Sequence, residues 1–242
     1  MKKTILAMIL IGLFTGAAMA QTVSAAAPQG KKNSAWNAPH ATGTIVFYGG
    51  DINPTDPNYF AFANENTLMV PQSQTYAAVQ VPVKATVSAI FINTTSTVGG
   101  VFDPATGTYD IRTGVTEGNG GKSIAHGSGA QTAVATGREP FGLPEYTLSV
   151  TFARPLTGVA GTTYWANETP QCTNSSDNSC ASAQYYLDNT TQETNGVNAA
   201  DQPAAQLYLN SFYYGFTWAN WCDSALGLNK SQCARASFGF TD

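Results

Sequence analysis

Charge is scarce in this chain. Of its 242 residues only 11% are Asp, Glu, Lys or Arg, with 11 basic against 15 acidic side chains and two histidines. So few Lys and Arg leave no electrostatic footprint that would follow a phosphate backbone or an anionic headgroup layer, which argues against nucleic acid and membrane surfaces as partners. Cysteine is missing until position 172, and long apolar runs are missing altogether. The most apolar stretch, residues 5–14, is about ten residues long, where a spanning helix needs about 20. A hydrophobic fraction of 43% excludes a disordered chain, because disorder needs low hydrophobicity with high net charge.

The first twenty residues read as a signal peptide. Lys2 and Lys3 form the basic region, ILAMILIGLF the apolar region, and Ala18-Met19-Ala20 the small-x-small cleavage pattern. Cleavage places the mature start at Gln21, with the small residues 24–27 as a later alternative. The expectation is export, to the periplasm or outside the cell, with no membrane insertion once the leader is removed. Losing Lys2 and Lys3 takes the net charge from −4 to −6. Residues 21–42, small and polar with Pro28, Gly30 and Pro39, read as a flexible lead-in. Residues 43–242 show no later linker and read as one domain.

Within that domain the hydrophobic period is two. In EYTLSVTFA (145–153), Tyr146, Leu148, Val150 and Phe152 fall on one face, and Glu145, Thr147, Ser149 and Thr151 on the other. Similar runs recur at 43–48, 76–83, 85–93, 109–115, 122–126, 162–166, 183–187, 206–214, 216–218 and 236–240, separated by Gly and Pro turn signals. About ten short strands predict an all-β, antiparallel sandwich of jelly-roll character. A helical turn is expected at 223–228, and YDIRTGVTEGNGG (109–121) reads as a strand entering a hairpin bend. Its glycines tolerate the positive φ a tight reversal requires, and no ligand is needed to explain it.

The four cysteines, Cys172, Cys180, Cys222 and Cys233, are even in number in an exported chain and read as disulfides that tie the C-terminal loops. Three connectivities are open. The local pairs Cys172–Cys180 and Cys222–Cys233 are favoured because each brackets a polar stretch, at about 2–3 kcal/mol apiece. Gaps of seven and ten residues do not match zinc spacing.

The blocks YGGDINPTDPN, FANENT, YDIRTGVTEGNGGKSIAHGSG, GTTYWAN and ASFGF resemble those of bacterial secreted β-sandwich proteins of the choice-of-anchor or PEP-CTERM-associated kind. That resemblance spans most of residues 43–240 and implies the same sandwich fold, in a set mostly without assigned activity. The chain stops at Thr241-Asp242 with no anchor helix or basic tail, and a released protein is the expectation.

Candidate sites follow from residue chemistry. Asp51, Asn53, Asp56 and Asn58 offer oxygen ligands for calcium, the one cofactor candidate, although Asp, Asn and Pro also build turns unaided. Serine catalysis finds neither a G-x-S-x-G elbow nor a base beyond His40 and His126. Glu117, Glu139, Glu145 and Asp110 could supply a glycosidase pair, but spacing alone brings no two together, and Glu145 is expected on a solvated face. Tyr185, Tyr213, Trp218 and Trp221, from an aromatic-rich C-terminal third, are the candidate ligand-binding residues, because flat rings suit sugars; core packing is the competing reading. The expectation is thus a secreted, non-enzymatic protein that recognises an extracellular glycan or cell-surface component. A matrix or filament subunit, self-associating through strand edges, and a glycoside hydrolase using acidic residues are the alternatives.

Overall fold

The computed structural model describes residues 41–52, 60–68, 70–80, 84–97, 106–172, 184–190, 196–199, 202, 206–212, 215–221 and 235–242. Residues 1–20, read as a signal peptide, residues 21–40, the expected helical turn at 223–228, Asn53, Asp56, Asn58, Tyr213, Cys180, Cys222 and Cys233 lie outside these residues. Of Cys172 only the backbone belongs to them.

The fold is all-β. Its strands are β1 (Ile45–Tyr48), β2 (Phe60–Ala63), β3 (Asn66–Thr67), β4 (Ser73–Gln80), β5 (Thr86–Ser96), β6 (Thr106–Thr113) and β7 (Lys122–Ala135). After them come β8 (Glu145–Thr157), β9 (Thr163–Cys172), β10 (Tyr185–Thr190), β11 (Leu207–Ser211), β12 (Ala219–Asn220), β13 (Arg235–Ala236) and β14 (Phe238–Thr241). Among the described residues the one helical element is a 3-10 turn at Pro140–Gly142. The main path runs β1-β14-β5-β8-β7-β6-β9-β4-β11-β12, and β10 joins β5 while carrying β2 and β13. Described pairings are antiparallel except β3 with β9.

One strand belongs to both halves of this sheet. The first part of β7, through Ala130, pairs with β6, and Gln131–Ala135 pairs with β8. The sheet therefore folds over at β7 and curls into a half-barrel. Glycines permit the close approach there: a Cβ on Gly127 would lie 2.7 Å from the Tyr109 hydroxyl, and one on Gly107 2.5 Å from Val150 Cγ2.

The inward face of the curl is apolar. Ile90, Ile92, Leu148, Val150, Phe238 and Phe240 of the first half meet Val79, Ile111, Tyr164, Leu207 and Leu209 of the second in one buried cluster. Tyr146, Leu148, Val150 and Phe152 all face this core, as their alternation predicts. Burying each large side chain contributes about 1.5–3 kcal/mol.

The other face of β8 departs from expectation. Glu145, predicted to be solvated, is 1% exposed, and Thr147 is equally buried. The chain between β7 and β8 lays Arg138 over them. Arg138 Nε donates to Glu145 Oε2 at 2.5 Å, Nη1 reaches Asp51 Oδ1 at 3.0 Å, and Thr136 Oγ1 donates to Glu145 Oε2 at 2.6 Å. The Tyr48 hydroxyl donates to Asp51 Oδ1, and Asn93 Nδ2 donates to both Tyr48 OH and Ser237 Oγ. Asp188 lies beside Glu145 with its carboxyl held well above the usual range, first by burial and then by the Glu145 carboxylate. Glu145 Oε1 and Asp188 Oδ2 are buried with no hydrogen-bond donor among the described residues.

Glu65 is a buried acid apart from this network, fully enclosed, accepting from Thr67 Oγ1 at 3.2 Å and the Tyr185 N–H at 3.4 Å. Burial pushes its pKa up to about 8 from an ordinary 4.5. Glu168, also fully buried, is raised by burial too.

Two outcomes follow for stability. Folded Glu65 keeps its proton where the unfolded chain has lost it. Its contribution is thus complete below about pH 4.5 and is lost as pH rises towards 8, at up to about 1.4 kcal/mol per pH unit. Urea unfolding should show greater stability at pH 5 than at pH 8, with a shallower slope in Glu65→Gln; equal stability at both pH values would contradict this. Removing one partner of a buried ion network is costly, so Arg138→Ala should lower the unfolding free energy by about 3–5 kcal/mol in the same measurement at pH 7.

Candidate functional site

The outer face of the second half-sheet carries the candidate site. Along β6 the side chains of Tyr109 and Ile111 point to the core, so Thr108, Asp110 and Arg112 point outward. Cross-strand register extends this face. Thr108 stands opposite Ser128 of β7 and Thr169 of β9, Asp110 opposite His126 and Asn167, and Arg112 opposite Ser123 and Trp165. On the far side Gln74 of β4 stands opposite Asn210 of β11.

Between β9 and β4 the direct ladder covers Ala77–Gln80 against Thr163–Ala166. Beyond it β3 wedges in, pairing Asn66 with Gln171. Asn64 bridges the gap: its Oδ1 accepts from the Thr75 N–H at 3.0 Å and Asn167 Nδ2 at 2.8 Å, and its Nδ2 donates to the Glu168 carbonyl at 2.6 Å. This splitting opens a groove of about 590 Å³, whose lining includes Asn66, Gln74, Thr108, Asp110, His126 and Gln171. Hydroxyl and amide side chains thus cross β7, β6, β9, β3, β4 and β11, on the order of 24 Å at about 4.8 Å per strand spacing.

Asp110 sits in the groove with three donors. Tyr76 OH reaches Oδ2 at 2.9 Å, Arg112 Nε the same oxygen at 2.8 Å, and Ser123 Oγ reaches Oδ1 at 2.6 Å. Burial, followed by the neighbouring Asp110 charge, holds the Tyr76 phenol well above its ordinary pKa, so it stays a donor. His126 Nδ1 lies 3.3 Å from Ser123 Oγ, a contact that a β-bulge near Ile111 and Arg112 makes possible. The Ser123 proton is directed to Asp110 and not to the imidazole, so this grouping lacks the serine–histidine–aspartate relay order that would activate a nucleophile. The grouping is internally paired, with the Asp110 carboxylate balanced by the Arg112 guanidinium.

An aromatic cluster closes one end of the face. Tyr76, Val115, Trp165 and Tyr208 are buried together, with Trp218 packed against them. The Trp218 ring lies 4.7 Å from Tyr76, and the Arg112 guanidinium stands 4.9 Å over it. Trp218 also receives the hairpin. The Thr116–Asn119 bridge makes Glu117-Gly118 the tip; the Gly118 N–H donates to the Trp218 carbonyl, and the Asn220 N–H to Glu117 Oε2 at 2.7 Å. Arg112 Nη1 donates to the Gly120 carbonyl at 2.9 Å. Residues 216–218, expected as a strand, instead turn, with Phe216 at φ +58 and Trp218 at φ +52, because the chain must dock here before pairing as β12.

The other predicted site residues scatter. Tyr185 is fully buried beside Glu65, and Trp221 packs edge-on against Phe62 at 4.0 Å in the core. Of the predicted ligand-binding residues described, Trp218 alone borders the groove face. The Asp51 carboxylate is turned to Arg138 and Tyr48. Asn66, Gln74, Thr108, Thr169, Gln171 and Ser128 went unnoticed in the sequence. The polar half of each alternating strand was their only signal, and it does not reveal which strands become neighbours.

Comparison with family models, with curated proteins and with solved structures finds no match for this chain.

The docking of the hairpin has a direct test. A Cβ on Gly120 would fall 2.4 Å from Trp218 Cε2, whereas nothing lies within 4 Å of one on Gly118. Gly120→Ala should destabilise the fold by about 1–3 kcal/mol through overpacking and blue- or red-shift Trp fluorescence as Trp218 is displaced. Gly118→Ala, limited to strain at φ +71, should leave the emission unchanged.

Proposed function

We propose that this protein is an exported, non-enzymatic recognition protein that binds an extracellular glycan along the outer groove of its second half-sheet. The observation that carries the reading is the row of hydroxyl and amide side chains, Ser128, Thr108, Asn66, Gln171 and Gln74, laid across neighbouring strands in one open groove. Such groups exchange hydrogen bonds with water for hydrogen bonds with a hydroxyl-rich ligand, and they are held by sheet register and not by mobile side-chain packing. Asp110, already serving three donors, suits a fixed binding contact better than a general acid or base.

In this reading the halves of the curled sheet act as the layers of a jelly-roll sandwich, with one outer face left wet for a ligand. Export by the N-terminal leader and oxidation of the pairs Cys172–Cys180 and Cys222–Cys233 belong to the same proposal. So does kinship with secreted sandwich proteins of the choice-of-anchor kind. Calcium at Asp51 would require Arg138 to give up a carboxylate it holds at 3.0 Å, so the reading includes no metal there.

A glycan array probed with the mature protein should give specific signal, followed by titration of the strongest hit. Gln74→Ala and Thr108→Val should each weaken that binding about 2- to 10-fold with the melting temperature unchanged. An array at background throughout would remove the glycan reading.

A further inference from the structure

The geometry points to a neutral glycan, one ring of which stacks on Phe212 and Phe216; this rests on the groove being a glycan site. The charge state of the groove is the first support. Among the described residues lining it, the only carboxylate and the only guanidinium are Asp110 and Arg112, and they are paired at 2.8 Å. A uronate or sulfated sugar would find no unpaired guanidinium or ammonium there among the described residues, and desolvating its charge beside Asp110 would be unfavourable.

The second support is the rim. Beyond Asn210, whose partner is Gln74, the chain leaves β11 and presents Phe212 and Phe216, 53% and 43% exposed. The Phe212 N–H donates to the Gln72 carbonyl at 3.0 Å, and Gln72 itself lines the groove, so the backbone of Phe212 stands where the polar row ends. Exposed aromatics scattered singly would need no explanation; two on the segment that leaves the last strand of the polar row offer a stacking surface in this reading. The backbone here is also held against local preference. Gln72, Phe216 and Trp218 take φ values of +64, +58 and +52, a left-handed backbone that non-glycine residues adopt only where the surroundings enforce it.

Sugar rings joined by β-linkages carry their C–H groups on a flat apolar face and their hydroxyls at the edge. Phe212 and Phe216 match the face, and Gln72 and Gln74 match the edge. Both phenylalanines are at the surface, so truncating them leaves the core intact.

The test titrates wild type, Phe212→Ala, Phe216→Ala and Gln74→Ala with cellohexaose, chitohexaose and an oligogalacturonate of the same length, with melting temperatures measured alongside. Expected is binding of a neutral oligomer by wild type, weaker or no binding of the oligogalacturonate, and a loss of about fivefold or more in each Phe variant at unchanged melting temperature. Neutral binding that Gln74→Ala weakens but both Phe variants retain would overturn the stacking surface and leave the groove standing. Tighter binding of the oligogalacturonate would overturn neutrality. Failure of wild type to bind any of the three probes would overturn the glycan reading and this inference with it.

Discussion

A strand that pairs with different partners at its two ends dictates the rest of this molecule. Because β7 gives its first part to β6 and Gln131–Ala135 to β8, the sheet cannot lie flat; it must fold there and close over its apolar side. That closure is what buries Ile90, Leu148 and Val150 against Ile111 and Leu207. It depends on backbone approaching side chains at glycine positions: Gly127 beneath the Tyr109 hydroxyl, and Gly107 beneath Val150, Gln131 and Glu168. Larger residues there would hold the halves apart. The hydroxyl of Tyr109 also donates to nothing on its own strand but meets the Ala153 N–H of β8, tying the halves across the fold.

Once the inner faces are joined, the two outer faces meet different fates. That of the first half is sealed by Arg138 and a buried polar network reaching from β1 to β14. Its acids Asp51 and Glu145 are held by one guanidinium, that of Arg138. Such a network discriminates among strand arrangements, since any shift in register strands a buried charge. The outer face of the second half is sealed at the end where Trp218 and the hairpin meet, and Asn167 and Thr169 of β9 are buried within it. The remainder stays open because β3 separates β9 from β4. Structure and opening thus come from the same event, the insertion of a two-residue strand.

Alternation made much of the fold legible in advance. Tyr146, Leu148, Val150 and Phe152 announced both a strand and its buried face, and the glycines of residues 114–121 announced the reversal between β6 and β7. Two kinds of residue misled the same reasoning. Glu145 is polar and alternates outward, yet lies beneath a loop whose arginine cannot be matched to it by spacing. Tyr185 and Trp221 are aromatic, as a sugar-binding residue would be, but Phe62, Glu65 and neighbouring strands enclose them. Residues 216–218 have strand-forming character, and tertiary docking overrode it.

Local chemistry, carried by the order of residues, determined the β class, the faces of the longest strands, the hairpin and the scarcity of charge. These depend on neighbours one or two positions away, so a single chain reports them. Which strand lies beside which, and therefore that Ser128, Thr108 and Gln74 form one row while Arg138 reaches Glu145 and Asp51, was decided only in three dimensions. Pairing between strands distant in sequence is selected by the packing of the whole curl. A polar side chain has the same local pattern whether a loop, a partner charge or water comes to cover it.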